Sequence, residues 1–511
     1  MKASILVKKE ERSGEISPYI YGQYFEHLGN CMYPSVWNAD SPKSDARGLR
    51  QDVIEAAREL GVPVIRWPGG CYVDLYDWKD GVGPSEQRPV RPNWHWGGLE
   101  SNQFGTDEFL NWCEQVGADP YVNVNLGTGT LVDALRWIDY CNGKETADAR
   151  WRKENGREEP YGVKLWGIGN ETWGHWEAGQ LGADEYAARL ANWAQFAKKY
   201  DEQLELLGVG SYEGNDSEWD RKVIEAAGKY LRYLTIHIYG CSVDRQSNEE
   251  YYPIVYTPVY FESQLRKMLS TIETTLSRMK DKLGHPIRIS LDEWNIRHYE
   301  ADPSSGEGYT LNRNSPRNLQ DAIFAAGIFH AMIRLSPHVG MANYVFLVNG
   351  NGVMNVTEDA VIKTPLFHLF KKYREWMVGQ SVQIEVQSPS RLTPVPQVSH
   401  PNYGKEQADK HQPVASSYID AVGAVGDDGS LRVALVNRHL DESFEIALGI
   451  PEGFASSAAV WTLHHENIHA ANTEEAPERV VPDVREFVPV EAGLRVPAHS
   501  VTLIRFESID Q

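Results

Sequence analysis

Cysteine is scarce in this chain. Cys31, Cys71, Cys113, Cys141 and Cys241 are scattered over 511 residues with no CxxC spacing. Such a set excludes a disulfide framework and a cysteine-rich zinc site. No stretch approaches the ~18 consecutive apolar residues that a membrane helix needs, so no span is expected. Basic residues are outnumbered, 50 Lys and Arg against 71 Asp and Glu, for a net charge of −21 at pH 7. No local basic patch offsets this, which argues against nucleic acid as a partner. Internal repeats and low-complexity tracts are absent. The N-terminal segment MKASILVKKEERSGEIS has Lys on both sides of a four-residue apolar run. That run is too short for a signal peptide, and a cytoplasmic protein is expected.

What is present is an ordinary globular composition, 41% apolar and 24% charged, which excludes a disordered chain, a collagen and a coiled coil. Tryptophan is abundant, at 16 residues. Many of these stand beside Gly, Asn, His or Glu rather than inside apolar runs, a setting that suits aromatic platforms for sugar faces. The length fits two or three domains at ~150 residues each, since barrels often run to ~250 residues as one unit.

Eight short apolar runs alternate with helical patterns up to about residue 376. They are 19–25 (YIYGQYF), 62–68 (VPVIRWP), 120–126 (PYVNVNL), 163–170 (VKLWGIGN), 204–210 (LELLGVG), 231–239 (LRYLTIHIY), 287–293 (IRISLDE) and 341–348 (MANYVFLV). Near-continuous apolar runs fit parallel strands covered on both faces. Helices are expected over 184–198, where Tyr186, Leu190, Trp193 and Ala197 form one stripe, over 317–335, and over 365–376. The last begins with Pro365 at the first helical position and Thr364 as a cap. Eight βα units closing on themselves make a (β/α)8 TIM barrel, an α/β fold. A doubly wound sheet is the alternative, but no dinucleotide fingerprint follows the first run. After Trp376 the character changes to proline-punctuated and then alternating segments, among them 431–437 (LRVALVN), 444–448 and 501–506 (VTLIRF). The expected division is a catalytic barrel over 18–378 and a C-terminal antiparallel, jelly-roll-like β-sandwich over 379–511. The N-terminal strand in 1–17 is expected to join the sandwich.

In such a barrel, chemistry sits at the carboxyl ends of the strands. The fourth run ends in Asn170-Glu171-Thr172-Trp173, and the seventh in Asp292-Glu293-Trp294. A Glu at the fourth strand end and one at the seventh can face each other across the barrel mouth. Paired carboxylates are what glycoside hydrolysis requires, and at ~5–5.5 Å apart they act with retention of configuration. A non-catalytic sugar-binding protein would keep the tryptophans and lose one Glu.

Several segments in order carry a family resemblance: 21–27 (YGQYFEH), 66–71 (RWPGGC), 97–106 (GGLESNQFGT), 167–171 (GIGNE), 237–239 (HIY) and 292–294 (DEW). Over nearly its whole length the chain resembles glycoside hydrolase family 51, the α-L-arabinofuranosidases. The resemblance implies Glu171 as general acid/base and Glu293 as nucleophile. It implies Glu26, Cys71, Asn170 and Tyr239 as substrate-binding residues, with Glu26 on distal hydroxyls of the furanose. Arg66 is expected to hold Glu293 ionised, His237 to stand behind the site, and Trp173 to lie beside Glu171. Trp94 and Trp96 look like stacking walls or a lid. No metal or organic cofactor is implied. The expected substrates are arabinose-containing oligosaccharides, cleaved at non-reducing ends. The resemblance also implies a homo-oligomer, often a hexamer.

Two features point elsewhere. Many relatives carry a Gln in the eighth strand where this chain has Phe346, which admits β-xylosidase or endo-β-1,4-glucanase activity on the same scaffold. His465-Glu466 and His469 match the HExxH zinc-peptidase pattern, but a strand-like run precedes them and no amphipathic helix is present to carry them. The segment 241–258, with Tyr251, Tyr252 and Tyr256, reads as a loop after the sixth strand.

Overall fold

The computed structural model describes residues 1–243, 247–280, 283–403, 410–490 and 493–509. Eight parallel strands close into a barrel: β1 (Gly22–Tyr24), β2 (Val64–Trp67), β3 (Asp119–Val124), β4 (Leu165–Ile168), β5 (Glu205–Val209), β6 (Leu231–Ser242), β7 (Arg288–Ala301) and β8 (Val339–Tyr344). Each pairs with its sequence neighbours, and β8 returns to β1 through Asn343↔Gly22 and Tyr344↔Gln23. A helix follows every strand on the outside. The expected stripe of Tyr186, Leu190, Trp193 and Ala197 is buried along the helix Ala183–Tyr200. At Pro365–Trp376 the proline takes the first position, but Thr364 does not cap; its hydroxyl donates to the Val353 carbonyl instead.

Three elements depart from their sequence patterns. The first run becomes a short 3₁₀ turn, Pro18–Tyr21, followed by only three strand residues. β7 runs well past Glu293, because β6 continues beside it beyond the barrel, pairing Arg297 with Cys241 and His298 with Ser242. Tyr251, Tyr252 and Tyr256 lie in the helix Tyr251–Arg278 rather than in a loop. Pro253 is tolerated in the first helical turn and Pro258 lies inside it, so prolines disguise this helix.

A second, nine-stranded sheet runs in the order Asp483–Pro489, Ser457–Leu463, Ser500–Phe506, Leu431–Asn437, Ile419–Val425, Gly379–Gln387, Lys2–Ile16, Phe444–Gly449, Leu494–Val496. Strands from both ends of this order share one core, including Ala458, Val460, Phe444, Ile446 and Val496, so the sheet folds back on itself. Its pairings are antiparallel with one correction: Lys2 to Leu6 run parallel to Glu445 to Gly449. The N-terminal strand therefore sits between Gly379–Gln387 and Phe444–Gly449.

Barrel and sheet meet along the helix Leu319–Arg334, buried on all sides up to Ile333. That explains why it is apolar all round rather than striped. At its end, Asp420 of the sheet accepts from Arg334 at 2.8 Å and from Arg438 at 2.5 Å, with His330 Nδ1 3.2 Å away. The connecting segment also reaches the barrel mouth: Ser399 N–H donates to the Tyr239 carbonyl (2.8 Å) and Cys241 N–H to the Gln397 carbonyl (3.0 Å).

Burial would push the Asp420 carboxyl up, but the Arg334, Arg438 and His330 charges hold it well below the usual range. A depressed folded-state value means the stabilisation is complete above the unfolded carboxylate value of ~3.9 and fades as pH falls below it. Asp420→Ala leaves the buried Arg438 without its carboxylate, while Arg334 keeps Glu262, and breaking a buried pair in this way costs about 3–5 kcal/mol. Thermal unfolding should show a clearly lowered Tm at pH 7, with the gap to wild type narrowing below about pH 4.

Candidate active site

The barrel mouth holds a cavity of about 370 Å³. Its floor is built from strand ends. Glu293 projects from β7, Tyr239 from β6 and Arg66 from β2, while Asn170 and Glu171 follow β4. Gly169 turns the chain at φ +88°, and Glu171 itself lies at φ +37°, a left-handed conformation that costs a non-glycine residue energy and is typical of functional sites.

The guanidinium of Arg66, 1% exposed, ties the site together. NH1 donates to Glu293 Oε1 at 2.5 Å and NH2 to Asn170 Oδ1 at 2.7 Å, while Nε faces Asp292 Oδ2 at 3.2 Å. Asp292 is held in turn by the Tyr121 and Ser290 hydroxyls and the Asn343 amide. Tyr239 donates to Glu293 Oε2 at 2.5 Å, and Tyr24 lies at 3.4 Å from Oε1. Burial alone would push the Glu293 carboxyl up. The His237 and Arg66 charges, with the hydrogen bonds from Tyr239 and Arg66, reverse this and bring it down to about 2.

Glu171 is engaged on both oxygens. His237 Nδ1 stands 2.7 Å from Oε1, and Trp176 Nε1 donates to Oε2 at 2.9 Å. His237 Nδ1 is also 3.6 Å from Glu293 Oε2. Burial lowers the His237 pKa, but the Glu293 charge and the hydrogen bond to Glu171 together raise it above the ordinary histidine value. One ligand-type atom each of Glu171, His237 and Glu293 lie within 4.8 Å of one another.

Glu26 lines the same cavity. Its Oε1 accepts from the Gly70 and Tyr72 N–H groups and from Trp96 Nε1, each at 3.1 Å. Among the described residues Oε2 receives only Tyr24, at 3.2 Å, and so retains acceptor capacity. Burial and the Glu293 charge push this carboxyl up to about 6. The Gly69-Gly70 pair is required by close approach. A Cβ on Gly69 would lie 2.4 Å from Glu26 Cγ, and one on Gly70 2.6 Å from Glu293 Oε1.

Of the residues expected in the pocket, Glu26, Cys71, Trp96, Glu171, Tyr239 and Glu293 line the cavity, as does Phe346. Arg66, Asn170 and His237 lie directly beneath it. Trp94 is a correction: it is 74% exposed and does not line the cavity. It caps the turn between the short strands Arg91–Pro92 and Leu99–Glu100, where Trp96 folds inward and Trp94 outward. Trp173 is a second: its indole donates to the Gly210 carbonyl, and Trp176 takes the place beside Glu171. The Cys71 thiol is pushed well above its usual value by burial and then by the surrounding carboxylates, so it stays protonated.

Sequence reasoning missed Trp176, Glu177, Arg297 and Arg313. Glu177 accepts from Asn170 Nδ2 at 3.0 Å. Burial, then the charges of Glu171 and Asp74, push its carboxyl up to about 9. Among the described residues, two His/Cys/Asp/Glu groups are close enough to share an ion, Cys71 with His95 and Glu177, and Glu171 with His237 and Glu293. His465 and His469 belong to neither. They lie in a non-helical turn, bonded to Asn467 and Asn248, so they do not share the helix face that a zinc peptidase needs.

Comparison with known proteins agrees with this geometry. An "Alpha-L-arabinofuranosidase 1 domain" matches residues 56–254 and an "Alpha-L-arabinofuranosidase C-terminal domain" matches 292–500. Alpha-L-arabinofuranosidase C of Emericella nidulans is 34% identical, over 99% of this chain and 97% of that one. The chain belongs to glycoside hydrolase family 51, the α-L-arabinofuranosidases. The arabinose complex of the Thermotoga maritima α-L-arabinofuranosidase superposes with a TM-score of 0.84 at 33% identity, over 99% of both chains. An intracellular exo-α-L-arabinofuranosidase of Bacteroides ovatus is 29% identical over 99% of this chain and 96% of its own. The enzyme is thus a glycoside hydrolase of this class, and β-xylosidase, endo-glucanase and zinc-peptidase readings are not favoured.

The Tyr239 hydroxyl favours the charged form of Glu293. Tyr239→Phe removes that hydrogen bond and should raise the Glu293 pKa from about 2. The acid limb of the kcat/KM profile on an aryl arabinofuranoside should move to higher pH.

Proposed function

We propose that this α-L-arabinofuranosidase works by double displacement. Glu293 attacks the anomeric carbon while Glu171 protonates the leaving oxygen, and Glu171 then takes a proton from the incoming water. The supporting observation is the separation. One oxygen of Glu171 and one of Glu293 lie within 4.8 Å of each other, a closeness that suits the ~5–5.5 Å spacing of retaining enzymes. The low value of Glu293 suits a nucleophile that must stay ionised. His237 acts as a positioning residue that orients Glu171.

The substrate reading is a terminal, non-reducing α-L-arabinofuranosyl residue of arabinoxylan, arabinan or derived oligosaccharides. Glu26 lines the cavity, and its Oε2 has capacity left to accept distal hydroxyl protons. Asn170 has one amide hydrogen left for the hydroxyl beside the anomeric carbon, after its bond to Glu177. We further read residues 18–378 as the catalytic domain and 379–511, with 1–17, as the sandwich domain. The strand pairing of Lys2–Ile16 supports that division.

For location we infer the cytoplasm. The Bacteroides relative carries the word intracellular in its name, and among the described residues no helix is long and apolar enough to cross a membrane. The resemblance to the family favours a homo-oligomer, a hexamer in particular. Light scattering at micromolar concentration tests this; a monomeric mass would refute it.

Glu293→Ala should abolish turnover of 4-nitrophenyl α-L-arabinofuranoside, with azide restoring activity from the vacated space. Wild-type-like activity in that variant would remove the nucleophile assignment. Proton NMR of the first-formed product should show retained anomeric configuration, and inversion would exclude double displacement.

A further inference from the structure

Two arginines in the cavity wall stand without a contacting carboxylate among the described residues. Arg297 and Arg313 both line the cavity, and both are half-buried. Although the chain carries 71 acidic residues, neither arginine forms an ion pair within 4.0 Å among the described residues. The Arg297 guanidinium lies 3.6 Å from the centre of the Tyr239 ring. Arg313 lies 5.2 Å from the centre of the Trp96 ring. Burial and the charge of Arg297 both depress the Arg313 pKa, so the two cations feel each other. The Glu171 charge acts on Arg297 and the Glu26 charge on Arg313 through space, but neither carboxylate contacts its arginine as an ion pair. Glu293 is committed to Arg66 and Tyr239, Glu171 to His237 and Trp176, and Glu26 to backbone and Trp96 donors.

Their position identifies what they face. Glu293, Asn295 and Arg297 alternate along β7 and all line the cavity. At ~3.3 Å per residue the strand carries Arg297 outward from the nucleophile, away from the barrel floor. On the reading that Glu26 takes the distal hydroxyls of the arabinose, the leaving group lies on the other side of Glu293, in the outward direction. Arg313 enters the same wall beyond the hairpin strand Tyr309–Leu311, which pairs with the outer end of β7. A guanidinium has five N–H donors in a planar fork that matches a carboxylate, and aromatic faces leave those donors unused.

We propose that the leaving-group side of this pocket takes a carboxylate, so that the preferred substrates are arabinofuranosides carried on an acidic, uronic-acid-containing chain, with Arg297 and Arg313 gripping the carboxylate. This rests on the glycosidase reading of the site. It adds a specificity for the part of the substrate that departs.

The test compares 4-carboxyphenyl α-L-arabinofuranoside with its neutral 4-carbamoylphenyl counterpart. The acid:amide ratio of kcat/KM is measured in wild type, Arg297→Gln, Arg313→Gln and the double variant. Comparing ratios between proteins cancels the different leaving abilities of the two phenols. Loss of charged hydrogen bonds should lower the ratio roughly tenfold to hundredfold in the double variant, while Arg297→Lys and Arg313→Lys should retain most of it. Equal ratios in wild type and double variant would overturn the proposal. Should the variants not fold, wild type still decides: free galacturonate should inhibit competitively more strongly than neutral galactose, and equal inhibition would overturn the proposal. Hydrolysis of neither aryl glycoside would instead defeat the arabinofuranosidase reading itself.

Discussion

Arg66 is the point on which the site depends. One buried guanidinium spans Asp292, Glu293 and Asn170, three side chains from two different strand ends. A cation so deep in the barrel is tolerable only because it is paired and hydrogen-bonded, and removing a partner leaves an uncompensated charge. Asp292 anchors it from below, through groups on β3, β7 and β8. The consequence for chemistry is that Glu293 is held ionised and Asn170 is held in register by the same group. Glu293 and the residue preceding Glu171 therefore share one fixed reference.

Around that centre the charges are graded. Glu293 is brought down to about 2, Glu26 is raised to about 6 and Glu177 to about 9. The gradient follows from partners. Glu293 has Arg66 and His237; Glu26 has backbone amides, Trp96 and a more distant Arg66; Glu177 is buried with the Asn170 amide and like-charged neighbours. Crowding several carboxyls into one pocket is feasible because they do not all carry charge at once.

Much of this was legible in the sequence where function coincides with strand ends. Glu171 and Glu293 terminate apolar runs, and the eight runs alternate with helical stripes such as the one from Tyr186 to Ala197. What was not legible depends on contacts across the barrel mouth. The Trp94 and Trp96 side chains diverge because of a turn geometry that two tryptophans flanking a histidine do not encode. Trp176 rather than Trp173 meets Glu171 because the loop after β4 folds back on itself. Arg297 looked like a residue beyond the seventh strand, since only the extended partner β6 keeps the chain in strand conformation there. The prolines in Tyr251–Arg278 hid a helix, and Thr364 spent its hydroxyl on a neighbouring loop rather than a cap.

The segment joining the barrel to the nine-stranded sheet touches the site directly, with Ser399 bonded to the Tyr239 backbone and Gln397 to that of Cys241. Tyr239 is the residue whose hydroxyl meets Glu293. A tether that helps to set a pocket wall cannot behave as a passive linker. The sheet is therefore not a cassette that can be traded among enzymes by cutting and joining at the domain border. A graft that shifts this segment by a fraction of an ångström would be felt at the anomeric carbon, and recombination between relatives should succeed only where the tether travels with its own barrel.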